Sequence, residues 1–269
     1  MLSRMRRAVP QPIAPEPNQP AISLHSASVR RGSNEALRNV TFDVPAGTLS
    51  AVVGPNGAGK SSLFGLLSGR LDPSAGTAAV SGDVAEVLQS TGIDDDLALT
   101  VDDVVRIGRF PSLGLLRPMR AADRRIVDDA LDAVDLLPLR RRPVQELSGG
   151  QRQRALLAQG LAQAAPILLL DEPTSGLDLP SQRLVLQILR READRGTTVL
   201  FATHDLAEAA TADNVIVLAC ECVCCAPPVD ALADPAVTAL FGPAALAPDE
   251  ATAPAAPAPP SAWPDFAGR

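Results

Sequence analysis

The chain has 269 residues, of which 46% are apolar, and this length is enough for one sizeable α/β core with flanking segments. No run of about eighteen apolar residues occurs, so the sequence predicts no membrane-spanning helix, and a role at a membrane requires a partner. The net charge of −7 argues against a nucleic-acid partner, because a surface that follows phosphates needs an excess of basic residues.

Both ends of the chain are predicted to be disordered tails. Residues 1–21 combine arginines and prolines without an apolar period, and residues 243–269 are rich in proline and alanine. Prolines interrupt the basic N-terminal segment, so it does not resemble a secretion signal. The four cysteines all fall within Cys220–Cys225, which is not the spacing of a secreted, disulfide-bonded fold, and we expect a reducing cytoplasm. The folded domain is expected to span residues 22–242.

The first part of this domain predicts strands followed by a helix. Residues 22–53 alternate short apolar runs with turn signals at 32–34 and 45–47, which indicates two or three β-strands. A helical pattern follows after Lys60 and runs through Leu67, and short strands punctuated by glycine and serine continue to Leu88.

The rest of the domain alternates helices with buried strands. Thr100 and Asp103 form a capping box that begins one helix, and residues 122–136 predict a second. Helices are also predicted over 148–164 and 180–195, with a short apolar strand after each. These two strands comprise residues 167–170 and 198–202. The β-α-β alternation is typical of a parallel sheet, so the fold class is α/β.

A glycine-rich loop with the pattern G-x-x-x-x-G-K-[ST] lies between the third strand and the first helix. Glycines let the backbone curl so that successive N–H groups point at phosphates, and the helix N-terminus adds positive potential. Lys60 supplies a mobile charge for the β- and γ-phosphates, Ser61 is placed to bind Mg²⁺, and Ser62 offers a further phosphate contact. The predicted phosphate-binding residues are Gly54, Pro55, Asn56, Gly57, Ala58, Gly59, Lys60, Ser61 and Ser62. The alternative is a glycine-rich turn with no ligand.

Two carboxylates, Asp171 and Glu172, close the buried strand at residues 167–170. An aspartate at such a strand end suits an indirect contact with Mg²⁺, and the adjacent glutamate can polarise the water that attacks the γ-phosphate. Acids at a strand end are often only solvated. Together with the glycine-rich loop, however, they predict ATP hydrolysis.

The sequence Leu147–Gln151, LSGGQ, resembles the signature of the ABC ATPases, and other motifs of that family match in the same chain order. The matching segments are the Walker A loop Gly54–Ser62, the Q-loop residue Gln89, the Walker B strand Leu168–Glu172, the D-loop Ser175–Asp178 and the switch histidine His204. The resemblance covers residues 22–242. It implies a P-loop ABC ATPase fold with a RecA-like core, an antiparallel β-subdomain and an α-helical signature subdomain at about residues 92–160. The short interval from Lys60 to Gln89 predicts that the β-subdomain has lost a hairpin.

The resemblance also implies a role for each matching residue. In this family, catalysis would involve Glu172, His204, Lys60 and Gln89, the Mg²⁺ of MgATP would contact Ser61 and Gln89, and nucleotide contacts would also include Asp171. The signature residues Ser148, Gly149, Gly150 and Gln151 open a helix and would bind the γ-phosphate held by a second copy of the chain. A head-to-tail homodimer is therefore implied. A surface glutamine at Gln89 and a histidine without function at His204 are the alternatives.

Residues 98–109 resemble the matching segment of bacterial zinc and manganese importer ATPases. The resemblance implies an integral membrane permease as partner, an extracytoplasmic substrate-binding protein that acts through it, and a location at the cytoplasmic face of the plasma membrane. Zinc is the expected substrate, with manganese or iron as alternatives. Three alternative functions remain: a siderophore or cobalamin importer ATPase, an ABC ATPase without a transport role, and a catalytically silent subunit.

Two features depart from the family pattern. Arg31 precedes Gly32 where an aromatic residue usually stacks on adenine, and a guanidinium can stack on a base with less apolar area. The run Cys220–Cys225 stands where an Asn/Asp-Gly hairpin and a strand are usual. Packing in a strand is one interpretation of the cysteines, and binding of Zn²⁺ or Cu⁺ as a metal-sensing brake is the other.

Overall fold

The structure is a computed structural model that describes residues 20–87, 98–113 and 117–242. Residues 1–19 and 243–269 of the predicted tails lie outside the described residues, and so does Gln89. The sequence predicts Pro20 and Ala21 to be part of the N-terminal tail, but they are the first residues of a strand. Ala21 is buried there, so the packed domain includes two residues more than the sequence predicted.

Two sheets form the scaffold of the described residues. A six-stranded sheet has the order β5-β6-β7-β3-β8-β9, parallel except for β9, and a three-stranded antiparallel sheet has the order β2-β1-β4. The strands are β1 Pro20–Arg31, β2 Asn34–Pro45, β3 Leu49–Val53, β4 Ala75–Val80, β5 Val84–Val87, β6 Ile167–Asp171, β7 Thr198–Thr203, β8 Asn214–Leu218 and β9 Cys222–Ala226. The predicted parallel sheet is confirmed.

Nine helices accompany the strands in the described part of the chain. They are α1 Lys60–Leu67, α2 Val101–Ile107, α3 Phe110–Leu113, α4 Ala121–Ala133, α5 Gly149–Leu161, α6 Leu179–Asp194, α7 Leu206–Ala209, α8 Pro228–Ala233 and α9 Pro235–Phe241. Helix α1, which was predicted after Lys60, begins at Lys60 and ends at Leu67 as predicted. The helix predicted over 148–164 is shorter, because Ser148 is its N-cap and Ala162 its C-cap.

The central strands are apolar throughout because both faces of the large sheet are covered. Successive side chains of β3 belong to different core clusters: Ala51 and Val53 pack on the side of α5 and α6, and Val52 packs with Phe64 of α1 and the antiparallel sheet. The carboxyl ends of β3, β6 and β7 therefore lie side by side at one sheet edge, which is where ligands bind in open α/β folds.

The segment between the two sheet halves is helical, and α2, α4 and α5 pack on one another. The predicted capping box is confirmed: Thr100 Oγ1 accepts from the Asp103 N–H at 3.2 Å, and the Asp103 carboxylate accepts from the Thr100 N–H at 3.0 Å. Hydrogen bonding from Thr100 lowers the pKa of Asp103. Arg109 and Asp123 form a buried ion pair that joins α4 to the end of α2. Within the residues described, no helix is long and apolar enough to cross a bilayer.

Candidate active site

The glycine-rich loop connects β3 to α1 and depends on backbone conformations that other residues rarely adopt. Gly57 and Gly59 have φ angles of 83° and 98°. A Cβ at Gly59 would lie 2.5 Å from the Ala36 carbonyl oxygen, and a Cβ at Gly54 would lie 2.3 Å from the Leu218 carbonyl oxygen. Gly59 therefore requires glycine for both conformation and packing, and Gly54 requires it for packing.

Lys60 is the first residue of α1 and is 8% exposed. Its Nζ donates to the carbonyl oxygens of Gly54 at 2.6 Å and of Pro55 at 3.3 Å, so the side chain folds back over the loop that precedes it. Lys60 is also the only lysine in the chain. The ammonium group thus lies inside the curl of backbone that the sequence predicted to bind phosphates.

A cavity of about 360 Å³ opens over this loop. Its lining comes from three places: the loop and the start of α1, the end of β6, and the antiparallel sheet. The lining residues are Arg31, Ala36, Asn56, Gly57, Ala58, Gly59, Lys60, Ser61, Ser62, Asp171 and Glu172. Arg31 therefore lines the predicted nucleotide site together with the phosphate loop.

Ser61 and Asp171 meet in the lining of the cavity. The Ser61 hydroxyl donates to Oδ2 of Asp171 at 3.1 Å, across 110 residues of sequence. A hydroxyl and a carboxylate are the oxygen donors that Mg²⁺ accepts alongside phosphate and water. The residues present therefore fit a magnesium ion carried in with a nucleotide.

Glu172 and His204 form a second pair beside the cavity. Nδ1 of His204 lies 3.5 Å from Oε1 of Glu172, and the glutamate side chain is 18% exposed whereas the histidine side chain is 65% exposed. Glu172 has a φ angle of 48°, a left-handed conformation that is strained for a non-glycine residue. Its N–H donates to the Ala202 carbonyl oxygen at 3.1 Å, so the strain is held by the adjacent strand β7.

Behind that pair lies a buried carboxylate that the sequence did not reveal. Oε2 of Glu208, on α7, accepts from the Thr174 hydroxyl at 2.8 Å and from the Thr203 hydroxyl at 2.6 Å. All three residues are at least nine-tenths buried. Thr203 lies only five residues before Glu208, whereas Thr174 lies 34 residues before it, and no spacing rule links the Thr174 hydroxyl to this carboxylate.

The signature residues stand at the start of α5, as predicted. Ser148 Oγ accepts from the Gln151 N–H at 3.3 Å, and the Gln151 side chain accepts from the Ser148 N–H at 3.1 Å. Ser148 and Gly149 are exposed, and a Cβ at Gly149 would meet no atom within 4 Å. Among the residues that the structure describes, none of Ser148–Gln151 lines the phosphate cavity. The signature is therefore presented to the surface, away from the loop of its own chain.

The cysteine run forms the turn and second strand of the β8–β9 hairpin. Cys220 donates its N–H to the Ala58 carbonyl oxygen at 2.8 Å, and its own carbonyl oxygen accepts from Arg38 N–H at 2.7 Å, so the turn supports the phosphate loop. Burial raises the pKa of the Cys222 thiol to about 12. Among the residues that the structure describes, no group of three or more metal-ligating side chains is placed to hold a metal ion.

These elements define a P-loop ATPase whose phosphate loop, Walker B acids and switch histidine meet at one sheet edge. The sequence model of the ABC transporter family matches residues 37–175. The chain belongs to this family, as the ATP-binding, ATP-hydrolysing subunit that works with membrane permease subunits.

Relatives and solved structures agree with that assignment. The chain is 40% identical over 209 residues to the manganese transport system ATP-binding protein of Synechocystis, covering 73% of this chain and 80% of that one. It is 38% identical over 237 residues to the zinc import ATP-binding protein of Alcanivorax borkumensis, covering 86% and 87%. It is 39% identical over 233 residues to the hemin import ATP-binding protein of Streptomyces coelicolor, covering 80% and 82%.

A solved transporter assigned to the metal-chelate ABC type, in an inward-facing conformation, superposes with a TM-score of 0.76 at 32% identity, covering 83% of this chain and 89% of that one. An ATP-binding cassette known as MJ1267 superposes with a TM-score of 0.74 at 20% identity, covering 83% and 99%, and supports the fold alone.

Proposed function

We propose that the chain drives the import of a divalent metal ion by hydrolysing MgATP in a homodimer bound to a membrane permease. The observation that carries the hydrolytic part of the proposal is the cavity lined by the phosphate loop and by Glu172, whose carboxylate pairs with His204. A cradle for phosphates beside a carboxylate and an imidazole has the parts that phosphoryl transfer to water requires.

In this proposal the phosphate loop binds the nucleotide, and Glu172 and His204 carry out hydrolysis. The N–H groups of the loop and the Lys60 ammonium bind the β- and γ-phosphates, and Arg31 stacks on the base. Glu172 accepts a proton from the attacking water, and His204 orients both that water and the carboxylate. Ser61, with Asp171 behind it, holds Mg²⁺, which supplies positive charge to the phosphate oxygens when bound. Gln89 is proposed as a further magnesium contact and lies outside the described residues.

The proposed homodimer is head to tail. The exposed signature residues at the N-terminus of α5 offer N–H groups and a positive helix end to the γ-phosphate held by the partner's loop. Gln151 and Ser148 cap each other, so the remaining N–H groups at this end are those of Gly149 and Gly150. Such a dimer, docked on a permease, would lie at the cytoplasmic face of the membrane, with a substrate-binding protein on the other side.

The proposed substrate class rests on the relatives. Those reported above are named for manganese, zinc and hemin, so a divalent metal ion or an iron-containing chelate is the cargo that they support. Zinc is not singled out among them. A chelate importer is the second candidate, favoured by the hemin relative and by the metal-chelate transporter structure.

Uptake measurements test this proposal. Cells that lack the gene would be complemented with the wild-type chain or with Glu172→Gln, and uptake of radioactive zinc, manganese, ferrous iron and iron-labelled hemin would be measured. The proposal expects the wild-type chain alone to restore uptake of one divalent ion. Restored hemin uptake instead would establish the second candidate, and no change in any uptake would contradict both.

A further inference from the structure

Glu208 is a buried acid to which the proposed mechanism gives no role. Glu208 lies in the short helix α7 and is 7% exposed. Burial of a carboxylate is costly unless hydrogen bonds compensate, and here two hydroxyl groups donate to the same oxygen, Oε2. The arrangement is therefore specific to this pair of donors and is not a solvated surface acid.

The two donors belong to the two loops that carry the candidate hydrolytic side chains. Thr174 follows Glu172 by two residues and begins the segment that leads to the D-loop. Thr203 is the last residue of β7 and directly precedes His204. The Thr203 hydroxyl oxygen also accepts from the Asp205 N–H at 3.1 Å. His204 therefore lies between two residues, Thr203 and Asp205, that are joined by this hydrogen bond.

A single carboxylate oxygen thus joins the segment after Glu172 to the segment around His204. The strained conformation of Glu172 needs such support, because a left-handed non-glycine residue persists only where its surroundings hold it. The phosphate loop has no part in these contacts: its lysine bonds to its own carbonyl oxygens, and its turn is supported by the β8–β9 hairpin. Loss of the shared oxygen should affect hydrolysis more than nucleotide binding.

We infer that Glu208 is a positioning residue that holds Glu172 and His204 in register for ATP hydrolysis, through hydroxyl hydrogen bonds from Thr174 and Thr203. The inference rests on the proposed roles of Glu172 and His204 and is independent of the cargo. Because the carboxylate acts as an acceptor in both bonds, its oxygen is the feature that matters. An amide carbonyl in the same place would accept the same two bonds.

The test compares steady-state ATPase kinetics of the purified full chain with those of Glu208→Ala, Glu208→Gln and Thr174→Val. Glu208→Ala should lower kcat by about ten- to hundredfold with the KM for ATP little changed, as expected for a misplaced reacting group. Glu208→Gln should recover most of the rate. Glu192→Ala, which removes an acid paired with Arg195 at the far end of α6, is the matched control and should behave as wild type.

Each outcome decides the inference. A folded Glu208→Ala variant with wild-type kcat overturns it, and so does a variant whose defect lies in KM alone or is equally large in Glu208→Gln. If Glu208→Ala fails to fold, Thr174→Val decides, because it removes one donor and keeps the carboxylate bonded to Thr203; unchanged kcat there overturns the inference. A wild-type chain without ATPase activity would instead contradict the assigned function of the site.

A second measurement separates positioning from general stability. In a Glu172→Gln background, Glu208→Ala should reduce the residual rate much less than it does in the wild-type background, because residues that act as one unit have non-additive effects. Equal fold-reductions in the two backgrounds would mean that Glu208 does not act through Glu172, and would overturn the inference.

Discussion

The phosphate-binding half and the hydrolytic half of this site are built in different ways. The first is made mainly of backbone, in the loop Gly54–Gly59, where glycines allow the curl and the close approach of Leu218 and Ala36. The second is made of side chains, Glu172 and His204, in two segments that are joined through the buried carboxylate of Glu208. Backbone geometry follows from residue spacing, whereas the side-chain half depends on tertiary packing.

This difference predicts two kinds of failure after mutation. Damage to the backbone half should remove nucleotide binding, and hydrolysis is lost as a consequence. Damage to the side-chain half should leave nucleotide bound and stop only the chemical step. The following variants separate the two halves, in order of expected effect.

Lys60→Ala should have the largest effect, because it removes the chain's only lysine from the centre of the phosphate loop. We expect ATP binding to fall below detection and hydrolysis with it. Titration with a fluorescent ATP analogue measures the first, and phosphate release the second. Arg70→Ala, which breaks a surface ion pair with Glu86, is the control for loss of a positive charge. Normal ATP affinity in Lys60→Ala would contradict the claim that the phosphate-binding half is responsible for nucleotide binding.

Glu172→Gln should keep nucleotide binding and lose hydrolysis by about 10²- to 10⁴-fold, the usual contribution of general base catalysis. Binding is measured by the same titration and turnover by phosphate release. Asp194→Asn, an acid in the last turn of α6, serves as the matched control. A rate within threefold or so of wild type in Glu172→Gln would exclude this residue as the base.

Substitution of Arg31 should have a smaller effect, which is confined to the affinity for ATP. Arg31→Ala loses a stacking contact of about 0.5 to 1 kcal/mol, so the KM for ATP should rise a few-fold while kcat is unchanged. Arg31→Tyr should lower that KM, because an aromatic ring buries more apolar area against the base. Arg30→Ala is the control, since Arg30 does not line the cavity. Equal KM values in all four proteins would show that Arg31 does not contact the base.

Substitution of the cysteine run should have the smallest effect on ATP hydrolysis. Replacing Cys220, Cys222, Cys224 and Cys225 with serine should leave bound zinc and the ATPase rate as in wild type, because the turn supports the loop through its backbone. Zinc titration followed by metal analysis provides the measurement. Zinc that is bound by the wild type and absent from the variant would restore the metal-sensing interpretation.

The backbone half and the strands around it were predictable because their signals are local. The helix α1, with its end at Leu67, and the capping box at Thr100 follow from residue spacing and appear as predicted. The domain start was two residues late, because Pro20 favoured a tail whereas pairing with β2 places it in a strand. Glu208 escaped prediction because its partners, Thr174 and Thr203, come together only in three dimensions.

The central claim is that a complete site needs the signature of a second chain. Light scattering of Glu172→Gln with MgATP measures it most directly, together with Glu172→Gln carrying Gly149→Glu, a change at an open position that adds negative charge at the signature. The first protein should have the mass of two chains and the second the mass of one. A single-chain mass for Glu172→Gln with ATP bound, or equal dimerisation of both proteins, would contradict the account.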